Sequence, residues 1–118
     1  LSGKPVTIFG DGSQERDYVY VDDIVEANLR AVSPDRGAGG PTFNLGTGIG
    51  TSVLRIFELL ASETGYPGGP THALARTGEV QRIYLDASRA ERELGWKPQV
   101  SFEDGIKRTV EPLKNSAG

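Results

Sequence analysis

Phe9-Gly10-Asp11-Gly12-Ser13-Gln14-Glu15-Arg16-Asp17-Tyr18-Val19-Tyr20-Val21-Asp22-Asp23 sets two short apolar runs on either side of a polar turn. On its upstream side, Val6-Thr7-Ile8-Phe9 is a run of strand formers that follows Pro5 and is stopped by Gly10-Asp11-Gly12. Asp17 to Val21 reads as a second strand. Asp22 or Asp23 then offers an N-cap for a helix through about Val32, with Ile24, Val25, Leu29 and Val32 on one face and Pro34 as its stop.

Further along, Thr42-Phe43-Asn44-Leu45 reads as a buried strand ending at Gly46. Thr51 or Ser52 caps the clearest helix, whose stripe is Val53, Ile56, Phe57, Leu60 and Thr64, with Gly65 as its stop. Thr71 to Ala75 is a short extended piece. Asp86 caps a helix through Leu94, closed by Gly95. Ser101 opens the last helix, with Asp104 three residues on, a stripe of Phe102, Ile106, Val110 and Leu113, and Pro112 predicting early fraying. Three or four short strands alternate with four helices, an α/β or α+β pattern.

The composition sets limits. The 118 residues allow one domain at most, and 36% hydrophobic with 25% charged residues excludes wholesale disorder. Without cysteine and with one histidine, no thiolate or imidazole metal set and no catalytic thiol can be built. A net charge of -3 argues against a nucleic-acid or anionic-membrane surface. No apolar run reaches the roughly 18 residues of a membrane span, and the start does not read as a secretory signal, so the expected location is cytoplasmic. Gly and Pro are over-represented and clustered between Pro34 and Gly50 and between Gly65 and Pro70, as connectors. The chain begins at Leu1 and contains no Met, which raises the expectation of a piece of a longer protein.

Most polar residues have a plain reading. His72 lies in an extended segment as a surface or packing residue. Asp22 and Asp23 complement a helix dipole. Ser52 and Ser88 have no partner base. Gly46-Thr47-Gly48-Ile49-Gly50 could cradle a phosphate at a helix start, but it lacks P-loop spacing and reads better as a tight turn. Two places admit chemistry. Arg16 stands beside an apolar strand, where its planar fork can take two oxygens of one anion. Arg76-Thr77-Gly78-Glu79 pairs a guanidinium with a carboxylate, a combination suited to a phosphate and a vicinal diol on one ligand. The competing reading is surface ion pairs, Arg16 with Asp17 or a neighbouring acid and Arg76 with Glu79.

Phe9 to Asp23 resembles the FGDGxQxRDYVYVDD stretch of NAD-dependent nucleotide-sugar epimerases and dehydratases, the extended short-chain dehydrogenase/reductase family. Phe43 to Gly48 with Thr51-Ser52 resembles its FNxGTGxxTS element, and Arg76 to Glu79 its R-x-G-D/E loop. Asp86 to Ala90 and Leu94 to Pro98 resemble its D-x-S-[KR]-A and LGW-x-P tail. The matches run in family order over almost the whole chain, and the nearest likeness is to bacterial UDP-glucose 4-epimerases. The rivals are the dTDP-glucose 4,6-dehydratases and the UDP-glucuronate-type epimerases or decarboxylases.

The resemblance implies that Arg16 and Arg76 bind a substrate diphosphate and that Glu79 holds the uridine ribose. It also implies that Thr7, through its backbone, and Phe9, through its ring, line the nucleobase slot. The UDP-sugar is then the ligand, and NAD belongs to the full-length enzyme, expected to be a homodimer. The family's Gly-rich dinucleotide fingerprint is absent here. So is its Tyr-x-x-x-Lys pair, since the residues four beyond Tyr18, Tyr20, Tyr66 and Tyr84 are Asp22, Ile24, Pro70 and Ser88. The expectation is therefore that residues 1–118 form the C-terminal substrate-binding portion of a Rossmann-type enzyme. In that reading the NAD-binding domain lies elsewhere, the chain carries no catalytic, cofactor or metal residue, and it is inactive alone. A ligand-free remnant that self-associates through exposed apolar faces is the alternative.

Overall fold

The protein is described by a computed structural model covering residues 1–32 and 40–117. In chain order its elements are β1 (Thr7–Phe9), β2 (Glu15–Arg16), α1 (Val21–Ala31), β3 (Thr51–Ser52), α2 (Val53–Thr64), β4 (Thr71–Ala73), α3 (Ser88–Leu94) and α4 (Phe102–Ala117). The alternation of short strands with four helices is the α/β pattern expected. The strands pair as two ribbons, β1 with β4 in parallel and β2 with β3 antiparallel. The Pro34 stop and the start of the first Gly/Pro cluster lie outside the described residues.

Local chemistry accounts for the best-defined helix. The Ser52 hydroxyl accepts the Arg55 N–H at 3.1 Å, and Gly65 closes α2 in the left-handed conformation with φ 70°. The half-buried stripe of α2 lies along α4, where Val110 is buried. The Ser101 hydroxyl accepts the Asp104 N–H at 3.2 Å at the start of α4. Pro112 does not fray this helix, which continues through it to Ala117. Proline costs α4 one backbone hydrogen bond, and the turns on either side hold.

The core is small and centres on one ring. Trp96, Ala27 and Ala90 are buried, with Val19, Phe43, Leu45, Ala87 and Leu94 packed around them. The Trp96 indole N–H donates to the Asp23 carbonyl at 2.7 Å. Asp23 is not the cap of α1, which begins after Tyr20 without a side-chain cap. Its buried carboxylate instead accepts the N–H groups of Gln99 and Val100, both at 3.0 Å. Arg30 reaches the carbonyls of Leu94 and Gly95 at the C-terminal end of α3, where a cation complements the dipole. Asp86 is not the cap of α3 but stands one residue before it, since Ala87 holds the cap position, and its carboxylate accepts the Ser88 N–H at 2.9 Å.

Two expected strands are not strands. Asp17 to Val21 is not one: Asp17 to Tyr20 joins no ladder among the described residues, because β2 ends at Arg16 and the Asp17 side chain turns to other partners, and Val21 opens α1. Thr42 to Leu45 likewise forms no ladder among the described residues, although Phe43 and Leu45 pack on the core. The expected apolar face of α1 is also not buried, with Val25, Leu29 and Val32 at 48%, 65% and 81% exposure. The radius of gyration is 17.3 Å, against about 13–14 Å for a compact domain of this length. An exposed helical stripe on so thin a molecule predicts self-association of the isolated 118-residue chain. Light scattering is expected to report a mass above the monomer, reduced by Leu29→Glu; a monomer for the unmodified chain contradicts this.

Candidate functional site

The site is built where the parallel pair ends. Thr7, Ile8 and Phe9 of β1 stand opposite Thr71, His72 and Ala73 of β4. The Thr71 N–H donates to the Val6 carbonyl and the Gly10 N–H to the Ala73 carbonyl, both at 2.9 Å. This phase turns the peptide groups of Val6, Ile8 and Gly10 toward β4 and those of Thr7 and Phe9 toward the opposite edge. Beyond Phe9 the chain reverses through Gly10 and Gly12, with φ of 79° and 81°. Within this turn Asp11 accepts the hydroxyl and N–H of Ser13, which together hold its carboxyl below the usual range. The buried Gln14 side chain donates to the Phe9 carbonyl at 3.0 Å, and His72 Nδ1 lies 2.7 Å from the Gly10 carbonyl.

Beyond β4, Ala75 passes against Gly10 and the chain turns at Arg76-Thr77-Gly78-Glu79, where Gly78 has φ 80°. The turn closes with the Glu79 N–H on the Arg76 carbonyl at 3.4 Å. Arg76 lies over the Phe9 ring, its guanidinium carbon 4.2 Å from the centroid. Arg16 Nη2 meets Glu79 Oε1 at 3.4 Å while Nη1 donates to the Glu15 carbonyl at 2.7 Å. Neither of the expected local ion pairs forms. Arg16 pairs across 63 residues with Glu79, and Arg76 stacks on an aromatic face. Phe9, Arg76 and Glu79 line a cleft of about 360 Å³.

Four of the five sequence-derived residues therefore gather: Phe9, Arg16, Arg76 and Glu79. Thr7 stands apart by its side chain, whose hydroxyl is 3.1 Å from that of Thr71. It shares with Phe9 only the outward-facing peptide edge. Attraction to a ring face takes none of a guanidinium's N–H groups in a hydrogen bond, so Phe9 presents Arg76 without consuming its donors. A 3.4 Å ion pair is long for a charge-assisted hydrogen bond, so Arg16 and Glu79 stand side by side without closing on each other.

The Gly46-Thr47-Gly48 turn does cradle an anion, and the anion is Asp17. Its Oδ1 accepts the N–H and hydroxyl of Thr47 at 2.9 and 2.6 Å, and its Oδ2 accepts the N–H groups of Gly48 and Leu85 at 2.9 and 3.1 Å. These amides are therefore engaged and do not form a phosphate loop. Partial burial opposes ionisation of Asp17, but the Thr47 hydroxyl and the three amides outweigh it and hold the carboxyl below the usual range. Asp17 and Gln14 were not singled out from the sequence, although both lie within the opening stretch. Tyr18 is shifted the other way: burial raises its phenol, only partly opposed by the Arg16 charge, the reverse of what a phenolate base requires.

A folded carboxyl held below its unfolded value, about 3.9, contributes stability that is complete above that pH and lost as pH falls through the folded value. The gap in melting temperature between the wild type and Asp17→Asn is therefore expected to be widest near neutral pH and to narrow below about pH 4. A gap that is constant from pH 7 to pH 3 would show that the ionised carboxylate contributes nothing.

No group of three His, Cys, Asp or Glu suited to a metal ion occurs among the described residues, and no helix there is long and apolar enough to cross a membrane. The chain belongs to the NAD-dependent epimerase/dehydratase family. A family model described as GDP-mannose 4,6 dehydratase matches residues 1–109. The chain is 44% identical to UDP-glucose 4-epimerase of Mycolicibacterium smegmatis over 117 residues, 99% of this chain and 37% of the relative.

Solved structures agree with the fold. A crystal structure of UDP-glucose 4-epimerase from Thermotoga maritima with UDP-glucose superposes with a TM-score of 0.90 at 46% identity, covering 98% of this chain and 37% of that one. MoeE5 in complex with UDP-glucose and NAD superposes with a TM-score of 0.90 at 32% identity, covering 100% of this chain and 39% of that one. The chain thus spans a little over a third of the length of these relatives, and its fold is that of a C-terminal portion of the extended short-chain dehydrogenase/reductase architecture.

Proposed function

We propose that this chain is the nucleotide-sugar-binding portion of an NAD-dependent 4-epimerase of UDP-hexoses. The observation that carries the reading is the convergence of Arg16, Arg76, Glu79 and Phe9 at the carboxyl end of the parallel β1–β4 pair. Ligands of α/β folds lie in crevices at that end of the strands. Arg16 and Arg76 supply two guanidinium forks to the diphosphate. Glu79 accepts hydrogen bonds from the ribose hydroxyls, with Arg16 beside it to offset its repulsion of the phosphates. The Phe9 ring forms an apolar wall for the base, and the outward peptide group of Thr7 a donor–acceptor edge.

The residues described here do not fit a dinucleotide cofactor, because the glycine turn that could hold its pyrophosphate is spent on Asp17. The oxidation and return of hydride at C4 belong to the rest of the longer enzyme. This chain converts remote nucleotide binding into alignment at the sugar.

Calorimetric titration of the chain with UDP is expected to give a saturable heat, and its absence overturns the binding assignment. The same chain mixed with UDP-glucose and NAD is expected to form no UDP-galactose. Measurable turnover would overturn the assignment of the chemistry to the remainder of the enzyme.

A further inference from the structure

Arg16 and Glu79 come from segments far apart in the chain, and the contacts that hold those segments together converge on one carboxylate. Immediately after Arg16, Asp17 leaves the β2–β3 ribbon and takes four hydrogen-bond donors from two other segments, residues 47–48 and residue 85. The strip from Gln81 to Leu85 runs along the same stretch. The Glu15 N–H donates to the Gln81 carbonyl at 2.8 Å, and the Ile83 N–H to the Glu15 carbonyl at 3.0 Å. The Leu85 N–H on Asp17 is the last fastening of that strip, and the strip leads directly from the turn bearing Arg76 and Glu79. On the other side Arg16 stands opposite Thr51 of β3, so loop 46–48 and β3 brace it together. The approach is close: a Cβ on Gly46 would lie 2.6 Å from Asp17 Oδ2 and 2.8 Å from the Leu85 Cβ.

We propose that Asp17 is a positioning residue for the anion grip, fastening loop 46–48 and the 81–85 strip to β2 so that Arg16 faces Arg76 and Glu79. This inference rests on the UDP-sugar reading for its ligand but not for its geometry. Asp17 touches no ligand and acts through the backbone on either side of it. Asparagine has nearly the same shape but offers one acceptor oxygen where five donor contacts now converge, and it turns an N–H group toward amides that also donate.

The test compares the wild type with Asp17→Asn by amide hydrogen exchange and by calorimetry with UDP and with uridine. Positioning predicts that exchange quickens by about tenfold or more at Ile83 and Glu79 as well as at the directly bonded Thr47, Gly48 and Leu85, with α2 unchanged. It further predicts about tenfold weaker UDP binding with a clearly smaller loss for uridine, because both arginines of the diphosphate grip depend on the fastening while uridine feels it only through Glu79. Quickening confined to Thr47, Gly48 and Leu85, or equal loss of UDP and uridine, overturns the proposal. If Asp17→Asn does not fold, Thr47→Val removes only the hydroxyl donor and is expected to show the same pattern in milder form; exchange and a UDP-to-uridine ratio both equal to wild type then overturn it. Failure of the wild type to bind UDP is a separate result, which overturns the substrate reading and leaves the exchange pattern to decide the role of Asp17.

Discussion

Replacing Arg16 with alanine is expected to weaken UDP binding by roughly ten- to a hundredfold or more, and by a larger factor than replacing Arg76. Loss of a charge-assisted hydrogen-bonding partner costs about 1.5–3 kcal/mol, and each 1.4 kcal/mol is about tenfold in affinity. The inequality follows from their neighbours. Arg16 stands beside Glu79, so Arg16→Ala removes an anion ligand and also leaves a carboxylate facing the incoming diphosphate. Arg76 rests on the Phe9 ring, and its loss bares an apolar face without adding repulsion.

Arg16→Ala combined with Glu79→Gln is therefore expected to recover part of the loss, and Arg16→Lys to fall between wild type and alanine, since a point charge lacks the planar fork. On the proposal that both arginines grip one diphosphate, the double alanine variant is expected to lose less than the product of the single losses. Calorimetry with UDP, and uridine as the control, reads all of these. Equal losses for the two single variants, or no recovery in the Glu79→Gln background, would refute the proposed division of labour.

The second large effect is expected at Trp96. It is the one tryptophan in the sequence and, at 1% exposure, the largest fully buried side chain in the core. Trp96→Ala is expected to cost about 3–5 kcal/mol through cavity formation and lost burial. The variant also leaves the Asp23 carbonyl without its 2.7 Å donor, in the residue whose carboxylate ties down Gln99 and Val100. With only five hydrophobic residues buried among those described, a loss of that size is expected to abolish cooperative unfolding. Circular dichroism during urea unfolding checks this for the variant, and the buried indole supplies a blue-shifted fluorescence signal in the wild type. Trp96→Phe retains most of the ring and is expected to remain folded at lower stability. A cooperative transition for Trp96→Ala at the wild-type midpoint would show that the core lies elsewhere.

What could be read from the sequence follows the range of the interactions involved. The α2 helix was legible from end to end, because Ser52, the apolar stripe and Gly65 act within a few residues of one another. The strand of β1 and the extended piece that becomes β4 were legible as runs, but their parallel pairing was not. The start of α1 misled for a physical reason: an aspartate at a helix start ordinarily serves its own first turn, whereas Asp23 serves amides 76 and 77 residues away. Thr42 to Leu45 has the alternation of a strand, and Phe43 and Leu45 do pack on the core, yet the segment joins no strand ladder among the described residues. Arg16, Arg76 and Glu79 were legible as candidates from their chemistry beside glycine turns and then through family motifs, while their exchange of partners depends on a fold that brings residue 16 to residue 79. Asp17 carried no separate signal, because an acid beside an arginine reads locally as its counter-ion.

The parallel β1–β4 pair also bears on the order of events in folding. Thr7 and Thr71 are 64 residues apart in the chain, and closing so long a loop is slow compared with winding α2 from neighbouring residues. The helices can therefore form while Phe9 and Arg76 are still strangers, and the proposed recognition surface comes into being only when that distant pairing closes.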